Sequence, residues 1–401
     1  MKLRSPETYW LLKNGLRYAY PSLKEDVECD VLVVGGGITG ALMAFQLSGE
    51  GYNTILIDKN DVSLGSTSAT TAILQYELDE PLYSLIGKVG EDAAVHTYLH
   101  GIDMIDWLSY TVHHHHLDCG FEMKNSVYFA RKKEDVDWLK EEFECRKSKG
   151  LGVQWLTAAQ LLKHYHVDGY GAIISDKAAT VDAYALAHQL LHHSVTHWGL
   201  RVFDHTPMCE VTYDGERHFI LTDQQCQVSC KNIVYATGYE SQVFLQEPVA
   251  KLVSTYALVS EPLKVLPPAI STSVFWDTSA PYFYMRSTTD NRLLIGGADE
   301  PFTDPVHRDG LIDQKDEDLM NLFKTALPDM SITPDFSWAG TFGITKDSMP
   351  YIGMHPDHHN SFFVLGYGGN GITFSLMGMK MLSDILAGKS NKFNEFFKFN
   401  R

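Results

Sequence analysis

Residues 30–58 read DVLVVGGGITGALMAFQLSGEGYNTILID, and this stretch decides the fold class. Val31–Val34 is a short apolar run rich in β-branched residues, which is typical of a buried parallel strand. A glycine-rich turn follows it, and helix-forming residues without proline continue over Ala41–Leu47. Thr54–Ile57 is a second apolar strand that ends at Asp58. This order predicts a β-α-β unit with an acid at the tip of its second strand.

The glycine-rich turn GGGITG fits the pattern G-x-G-x-x-G. In this pattern Gly35 allows the tight turn, Gly37 lets a pyrophosphate approach the backbone, and Gly40 lets the helix pack on the strand. The helix N-terminus offers N–H groups to a phosphate, and Asp58 can accept hydrogen bonds from a ribose diol. The unit therefore predicts a dinucleotide site, with a structural turn as the alternative. It leaves the choice between NAD and FAD open.

Length and composition indicate a soluble globular protein of two domains, because 401 residues exceed what one core usually holds. A net charge of −17 argues against nucleic acid and anionic membrane surfaces as partners. We expect no targeting segment and no membrane span, since no run approaches about 18 apolar residues. Scattered cysteines without C-x-x-C spacing predict reduced thiols in a cytoplasmic protein, not disulfides or a zinc site. They are Cys29, Cys119, Cys145, Cys209, Cys226 and Cys230.

The rest of the chain predicts further helices and strands around this unit. We expect residues 1–27 to form an irregular surface arm, and Gly65–Gln75 to be a hydroxyl-rich loop that feeds a helix. The run His113–His116 is expected to be exposed at a helix end, because neighbouring side chains on a helix point about 100° apart. Helices are predicted over 82–118, 133–149, 316–327 and 372–386, and strands over 125–130, 200–203, 208–213, 219–221, 233–235, 251–261, 282–286, 293–297 and 362–365.

A second glycine-rich loop, Gly366–Gly371, lies between the predicted strand 362–365 and the helix 372–386. A second helix N-terminus can therefore point at the same ligand and stabilise negative charge that develops on a redox ring. Reduced flavin carries such a charge, whereas nicotinamide acquires none on reduction. The loop thus favours FAD over NAD, and a tight turn without a ligand is the alternative.

Four stretches of the chain occur in a recognisable order. They are DVLVVGGGITG (30–40), the loop Gly65–Ala72, IVYATGY (233–239) and the segment that begins SMPYIG and ends FFVLGYGGNGITFS (348–375). Together they resemble the flavoprotein family of D-amino-acid oxidase, glycine oxidase and monomeric sarcosine oxidase. The N-terminal arm also resembles that of bacterial γ-glutamylputrescine oxidase. The resemblance implies hydride transfer from the carbon beside an amine nitrogen to flavin N5, and hydrolysis of the resulting imine.

The resemblance also implies an α/β fold, in which a Rossmann-like FAD-binding domain accompanies a second α+β substrate domain with a mostly antiparallel sheet. We expect the FAD-binding domain to comprise residues 1–82, 150–245 and 332–401, and the substrate domain to comprise residues 83–149 and 246–331. FAD is expected to be non-covalent. Monomeric sarcosine oxidase links its flavin to a cysteine upstream of the last glycine loop, and this chain has no cysteine after position 230.

The predicted FAD contacts come from the two glycine turns, the acid after the second strand, the hydroxyl-rich loop and the strand end at 236–238. They are Gly35, Gly37, Ile38, Thr39, Gly40, Asp58, Lys59, Ser66, Thr67, Thr70, Thr71, Ala72, Met208, Ala236, Thr237, Gly238, Gly343, Gly368, Gly369, Asn370, Gly371, Ile372 and Thr373. No metal site is expected.

The carboxylate contacts of monomeric sarcosine oxidase are missing from this chain. That enzyme has a lysine where this sequence has Thr373, and an arginine where it has Ala72-Ile73. The resemblance to glycine oxidase instead assigns Arg286, at the end of YFYMR (282–286), as a bidentate clamp for a substrate carboxylate. An ion pair at an interface or at the surface is the alternative.

Three further residues are candidates for the catalytic site. Tyr256 and Tyr284 are predicted to line the substrate site, and a role in the core is the alternative for both. Lys346 is predicted to face the flavin and tune it by its charge, and the alternative is an exposed lysine.

The sequence therefore predicts an FAD-dependent oxidoreductase that acts on the C–N bond of a small amine or amino acid. Whether it is an oxidase or a dehydrogenase stays open at this point, as does its oligomeric state. Two alternatives remain. One is a flavin-bearing subunit of a hetero-oligomeric dehydrogenase, and the other is an FAD enzyme that oxidises a hydroxy acid.

Overall fold

Two β-sheets with helices packed on them form the frame of the protein in the computed structural model, which describes residues 1–245, 247–280, 282–365 and 368–401. The strands are β1 (Val27–Val34), β2 (Thr54–Ile57), β3 (Ile73–Gln75), β4 (Glu122–Phe129), β5 (Val153–Thr157), β6 (Gly171–Thr180), β7 (Arg201–Phe203), β8 (Met208–Tyr213), β9 (His218–Thr222), β10 (Gln227–Tyr235), β11 (Lys251–Ser260), β12 (Ser273–Asp277), β13 (Phe283–Ser287), β14 (Leu293–Glu300), β15 (Pro334–Ile344), β16 (Tyr351–Met354) and β17 (Ser361–Leu365).

The α-helices are α1 (Tyr9–Asn14), α2 (Ile38–Gly49), α3 (Leu82–Val89), α4 (Glu91–His114), α5 (Val136–Ser148), α6 (Ala158–Tyr165), α7 (Ala183–Trp198), α8 (Pro268–Ser271), α9 (Pro305–Gly310), α10 (Ile312–Ala326), α11 (Gly371–Leu386) and α12 (Phe393–Phe396). Short 3₁₀ turns occupy Ser66–Ser68, Lys133–Asp135, Gly238–Phe244 and Gly368–Asn370. None of the helices in the described ranges combines the length and apolar character that a membrane crossing needs.

The first sheet contains the predicted β-α-β unit at its centre. Its strand order is β16-β17-β10-β1-β2-β7, and β9 pairs with both β10 and β8. The pairings of β1 with β2 and β10, of β10 with β17 and of β2 with β7 are parallel. Helices α2, α7 and α11 pack together on one face of it with Val31 and Val33, and Leu32 and Val34 are buried on the other face in a core that includes Ile220. This burial explains why the strand is a continuous apolar run.

The second sheet has the order β15-β11-β14-β13-β12-β4-β6-β3, with β5 paired to β6. Among the described residues the pairing of β4 with β12 is parallel, and the other pairings in this sheet are antiparallel. Helix α10 packs against one face through Leu319 and Phe323, which join a core with Phe275 and Met285. On the opposite face of this sheet, residues of β11 and β13 line the cavity that is described below.

The structure confirms the α/β fold class and most of the predicted elements, and it corrects three. The stretch Gly65–Gln75 does not feed a helix, because Ile73–Gln75 pairs with Ala178–Thr180 as the edge strand β3. Residues 1–27 are not wholly irregular. They contain α1, whose Tyr9 and Trp10 are buried against Tyr184 and Trp338.

The predicted helix over 82–118 is two helices, α3 and α4, which are separated at Gly90. The division into two discontinuous domains stays a prediction. Some segments that were assigned to the FAD-binding domain contribute strands to the second sheet. These strands are β3, β5, β6 and β15.

Candidate active site

A cavity of about 1060 Å³ is lined by residues from both sheets. One end lies at the glycine turn between β1 and α2 and at the tip of β2. The other end lies at β11, at β13 and at the N-terminus of α11. Its size falls at the upper end of the range usual for ligand sites, so it has room for a large ligand.

The first glycine turn is shaped by close backbone contacts. Gly35 has φ +107°, and a Cβ there would lie 2.5 Å from the carbonyl oxygen of Ala236. A Cβ on Gly40 would lie 1.8 Å from the carbonyl oxygen of Gly35. No residue larger than glycine fits either position without a shift of the backbone. The turn therefore brings the start of α2 against the ends of β1 and β10.

The N-terminus of α2 opens into the cavity through Gly37, Ile38 and Thr39. The backbone N–H of Ile38 donates to Thr67 Oγ1 over 2.9 Å, which ties the hydroxyl-rich loop to the helix start. Thr39 Oγ1 lies 2.8 Å from Ser375 Oγ, so the helix start also contacts α11. This is the geometry of an anion site at a helix N-terminus.

Asp58 lines the cavity at the tip of β2. Its Oδ2 accepts a hydrogen bond of 2.6 Å from the N–H of Gly36, and its Oδ1 accepts one of 2.8 Å from Asn60. Burial raises the pKa of Asp58, and the two N–H donors oppose that shift. Lys59 also lines the cavity, where its Nζ pairs with Glu240 at 2.6 Å.

Most of the other predicted cofactor residues also line the cavity. From the hydroxyl-rich loop, the 206–208 turn and the end of β10 these are Ser66, Thr67, Thr70, Thr71, Met208, Ala236, Thr237 and Gly238. Ala72 and Gly343 lie outside the lining. Ala72 is buried, and its carbonyl oxygen accepts a hydrogen bond from Arg286. A Cβ on Gly343 would lie 2.9 Å from the ring of Tyr239.

The second glycine loop reaches the cavity through Gly368, Gly369, Gly371 and Ile372. The side chains of Asn370 and Thr373 are outside the cavity lining and bond to the backbone near β3. Asn370 Nδ2 donates to the carbonyl of Glu77 over 2.8 Å, and Thr373 Oγ1 donates to the carbonyl of Gln75 over 3.0 Å. Both residues therefore anchor the loop to the end of β3. Gly366 and Tyr367, the first two residues of the loop, lie outside the described residues.

Two tyrosines from β13 and the residue before it line the far end of the cavity. Tyr284 was predicted there, and Tyr282 was missed although it stands two positions earlier on the same face of the strand. A Cβ on Gly296 would lie 2.3 Å from Tyr284 Oη, so the ring of Tyr284 covers a glycine of β14. Burial raises the pKa of both phenols, which remain protonated at neutral pH.

Tyr256 lies on the opposite face of β11 from the cavity. Its neighbours Thr255 and Ala257 line the cavity, whereas Tyr256 is 1% exposed and packs in the core beneath α10. Lys315 Nζ lies 5.6 Å from the centre of its ring. Burial raises the pKa of Tyr256 to about 12. The structure therefore places Tyr256 in the core, which was the alternative interpretation.

Arg286 follows Tyr284 on the same face of β13 but lies beyond the cavity lining. Its Nη1 donates to the carbonyl oxygens of Ala72 at 2.6 Å and Val181 at 2.8 Å. Its guanidinium lies 5.4 Å from the ring centre of Trp10, and the residue is 3% exposed. These contacts hold the guanidinium against backbone carbonyls and Trp10, outside the cavity lining, and depart from the expected carboxylate clamp.

Lys346 lies on the surface. Its Nζ donates to the carbonyl oxygen of Arg401 over 2.8 Å, and the side chain is outside the cavity lining. Within the described residues, no group of three or more histidine, cysteine or acidic side chains is arranged to hold a metal ion.

Two carboxylates that the sequence interpretation missed adjoin the far end of the cavity. Asp79 Oδ2 accepts a hydrogen bond of 2.8 Å from the N–H of Gly369, and a Cβ on Gly368 would lie 3.1 Å from it. Asp299, at the end of β14, lies beside Thr255 of the lining, and burial raises the pKa of its carboxyl to about 6 against the opposing effect of the Thr255 side chain. Strand parity gave no signal for Asp299, because Gly297 pairs with Tyr256 and Phe283 on the core face and the β-bulge at Ala298, which has a φ of 54°, changes the parity before Asp299. Asp79 gave no local signal.

The FAD-dependent oxidoreductase (DAO) family model matches residues 30–385. The chain belongs to this family. A Bacillus subtilis relative named as a Rieske 2Fe-2S iron-sulfur protein is 25% identical, over 99% of this chain and 76% of its own length. The γ-glutamylputrescine oxidoreductase of Escherichia coli is 22% identical, over 95% of this chain and 89% of its own length. These matches confirm the family resemblance predicted from the motifs.

The fold is similar to that of glycine oxidase from Geobacillus kaustophilus. The two structures superpose with a TM-score of 0.75 at 21% identity, over 93% of this chain and 99% of the other. FAD is the cofactor of the family, and the cavity fits it. Gly35 and Gly40 leave no room for a Cβ at the turn into α2, Asp58 stands at one end of the cavity, and the second glycine loop stands at the other. The chain is an FAD-dependent oxidoreductase.

Proposed function

We propose that this FAD-dependent oxidoreductase oxidises the C–N bond of a small amine or amino acid. One observation carries the proposal: a single cavity joins the N-terminus of α2 and Asp58 to the second glycine loop and the tyrosines of β13. Both halves of a FAD site thus open into one space, and the tyrosine end leaves a place for a small substrate. Relatives with names of amine and amino-acid oxidoreductases support the choice of bond.

Each part of the cavity has a separate role in this proposal. Gly37, Ile38 and Thr39 hold the pyrophosphate at the start of α2, and Asp58 accepts hydrogen bonds from the ribose. FAD, when bound, supplies the hydride acceptor for the substrate carbon. The N-terminus of α11 would stabilise negative charge on the reduced cofactor, because Gly371 and Ile372 at the start of the helix line the cavity.

The tyrosines and the covered end of the cavity orient the substrate. Tyr282 and Tyr284 present phenol groups that remain protonated, so they can donate hydrogen bonds but do not act as bases near neutral pH. A free amine held by these groups against the cofactor needs no separate base, because positioning itself lowers the barrier. Water then hydrolyses the imine product.

The test is anaerobic reduction of the purified yellow holoprotein. It is mixed with matched pairs of compounds, such as glycine with glycolate and alanine with lactate, and with simple amines, and the visible absorbance of oxidised flavin is followed. We expect bleaching by at least one amine or amino acid and none by the paired hydroxy acid. Bleaching by hydroxy acids alone would show that the enzyme oxidises hydroxy acids instead. If no compound bleaches the flavin, the chain would be better explained as a flavin-bearing subunit of a hetero-oligomeric dehydrogenase.

The nature of the electron acceptor follows from a second step of the same experiment. The reduced protein is mixed either with oxygen or with an artificial dye, and the rate of reoxidation distinguishes an oxidase from a dehydrogenase. The non-covalent state of FAD is tested by acid precipitation, which we expect to release all flavin into the supernatant. A cytoplasmic location stays part of the proposal, supported by cysteines that are free thiols in the described chain.

A further inference from the structure

A row of paired residues runs across the second sheet at the far end of the cavity. Tyr284 on β13 pairs with Gly296 on β14, Gly296 pairs with Ala257 on β11, and Ala257 pairs with Trp338 on β15. Residues that pair directly across antiparallel strands share a face of the sheet. Tyr284, Ala257 and Trp338 line the cavity, so Gly296 lies in the same row and leaves a gap where a side chain would stand.

The ring of Tyr284 lies over this gap. A Cβ on Gly296 would lie 2.3 Å from Tyr284 Oη, 2.4 Å from its Cζ and 2.6 Å from its Cε2. All three atoms belong to the outer end of the ring, and all three distances are far shorter than van der Waals contact. The phenol of Tyr284 therefore occupies the space that a side chain at position 296 would take.

The backbone does not require a glycine at position 296. The φ of Gly296 lies outside the left-handed region, whereas the next residue, Gly297, has a φ of 133° and meets the carbonyl oxygen of Tyr282. A glycine inside a strand weakens the strand and often marks a place where another group approaches closely. At Gly296 the approaching group is the ring of Tyr284.

Tyr284 is the member of the row that can move. Its side chain is partly exposed toward the cavity, and the backbone of β14 lies beneath its ring. Trp338 at the other end of the row is 2% exposed, and its Nε1 donates to the carbonyl oxygen of Ala69 over 2.7 Å. A side chain at position 296 would therefore displace the Tyr284 ring away from the sheet and into the cavity.

We propose that Gly296 determines how large a substrate the enzyme accepts, because it lets the Tyr284 ring lie against the sheet and keeps the substrate end of the cavity open. The inference rests on the proposed function, since it concerns the size of the amine or amino acid that the same site binds. A substituent on the carbon that carries the amine occupies the space above the ring. Gly296 itself contacts no substrate and acts through the position of Tyr284.

The experiment compares the wild-type holoprotein with Gly296→Ala in two series of increasing size, glycine, alanine and phenylalanine, and ethylamine, butylamine and benzylamine. Anaerobic flavin reduction gives the limiting rate and the half-saturating concentration for each compound, and their quotient is the reduction efficiency. The size ratio is the efficiency for the largest compound of a series divided by that for the smallest. We expect Gly296→Ala to lower the size ratio by about tenfold, the scale of overpacking a site, mainly through a higher half-saturating concentration.

Variants of Tyr284 then identify the ring as the cause. Tyr284→Ala removes the ring and should raise the size ratio, and adding Gly296→Ala to this variant should leave the ratio unchanged, because no ring is displaced. Tyr284→Phe is the matched control, since it keeps the ring and removes only the hydroxyl. In that background Gly296→Ala should lower the size ratio as it does in the wild type. If Gly296→Ala alone does not fold, the rise expected for Tyr284→Ala still tests the inference.

The outcomes separate this inference from the proposed function. If Gly296→Ala changes the efficiency for all compounds by one factor, or lowers the size ratio equally with and without the ring, the inference is overturned while amine oxidation stands. If Gly296→Ala weakens FAD binding in a titration of the apoprotein and leaves the size ratio unchanged, Gly296 serves the cofactor and the inference is again overturned. If no amine or amino acid reduces the wild-type flavin, the proposed function fails and the inference fails with it.

Discussion

Arg286 Nη1 donates a hydrogen bond of 2.6 Å to the carbonyl oxygen of Ala72, which joins β13 to the loop that enters β3. The same nitrogen donates to the carbonyl of Val181, just before α7. Ala72 has a positive φ of 54°, a conformation that is uncommon outside glycine, and the arginine holds its carbonyl in place. Arg286 thus stabilises the hydroxyl-rich loop from behind, while Thr70 and Thr71 of that loop face the cavity.

Replacing Arg286 by alanine is expected to reduce the free energy of unfolding by about 2–4 kcal/mol, because two buried carbonyls lose their donor. Burial lowers the pKa of Arg286 to about 10, so the guanidinium is still charged at pH 7 and its hydrogen bonds are charge-assisted. Denaturant unfolding measures the loss. The matched control is Arg292→Ala on the same hairpin, whose surface ion pairs with Asp290 and Asp335 should contribute about 1 kcal/mol or less.

A carboxylate clamp at Arg286 makes a different prediction for the same variant. In that case stability would change little, and KM for an amino acid would rise while KM for a simple amine stayed constant. Measuring unfolding and KM on one preparation therefore decides between the two roles.

Asp58→Ala is expected to weaken FAD binding by about tenfold or more while the fold is retained. The carboxylate stands at the tip of β2 and accepts from Gly36 and Asn60, so its loss removes both a ribose acceptor and a brace of the glycine turn. FAD titration of the apoprotein, followed by flavin fluorescence, measures the change. The control is Asp30→Ala, an acid in β1 of the same unit that pairs with Lys231 on the surface. Equal affinity in the two variants would contradict the ribose assignment.

The β-α-β unit could be predicted from sequence because its signals are local. Apolar runs, the glycine spacing and the acid after the second strand all lie within residues 30–58, and the observed β1, α2 and β2 match them. The close contact of Gly35 with Ala236 shows that the turn also depends on a distant strand. The glycine in the sequence already indicates that the backbone must be approached closely at this position.

The substrate end could not be predicted in the same way, since its residues depend on strand parity and on distant contacts. A shift of one position separates Thr255, which lines the cavity, from Tyr256, which packs beneath α10. Tyr282 and Arg286 share a face of β13, but only the first reaches the cavity before Trp10 and Ala72 cover the strand. Asp79 meets Gly369 across 290 positions, a contact that no local pattern encodes.

The buried ion cluster behind the second glycine loop predicts a further effect on stability. Arg146 Nε bonds Glu142 Oε1 at 2.5 Å, and its Nη1 lies 3.5 Å from Glu77 Oε1. Glu142 also accepts from the N–H groups of Leu82 and Tyr83 at the start of α3. Arg146→Leu should therefore destabilise the fold by about 3–5 kcal/mol, because it leaves two buried carboxylates without a cation.

The double variant Arg146→Leu with Glu142→Gln tests the cause of that loss. Removing the charge of Glu142 together with the arginine should recover part of the stability, since the glutamine side chain stays uncharged in the core. Denaturant unfolding of the two single variants and the double variant gives the coupling energy. Strict additivity of the two changes would show that the pair does not interact as the geometry indicates.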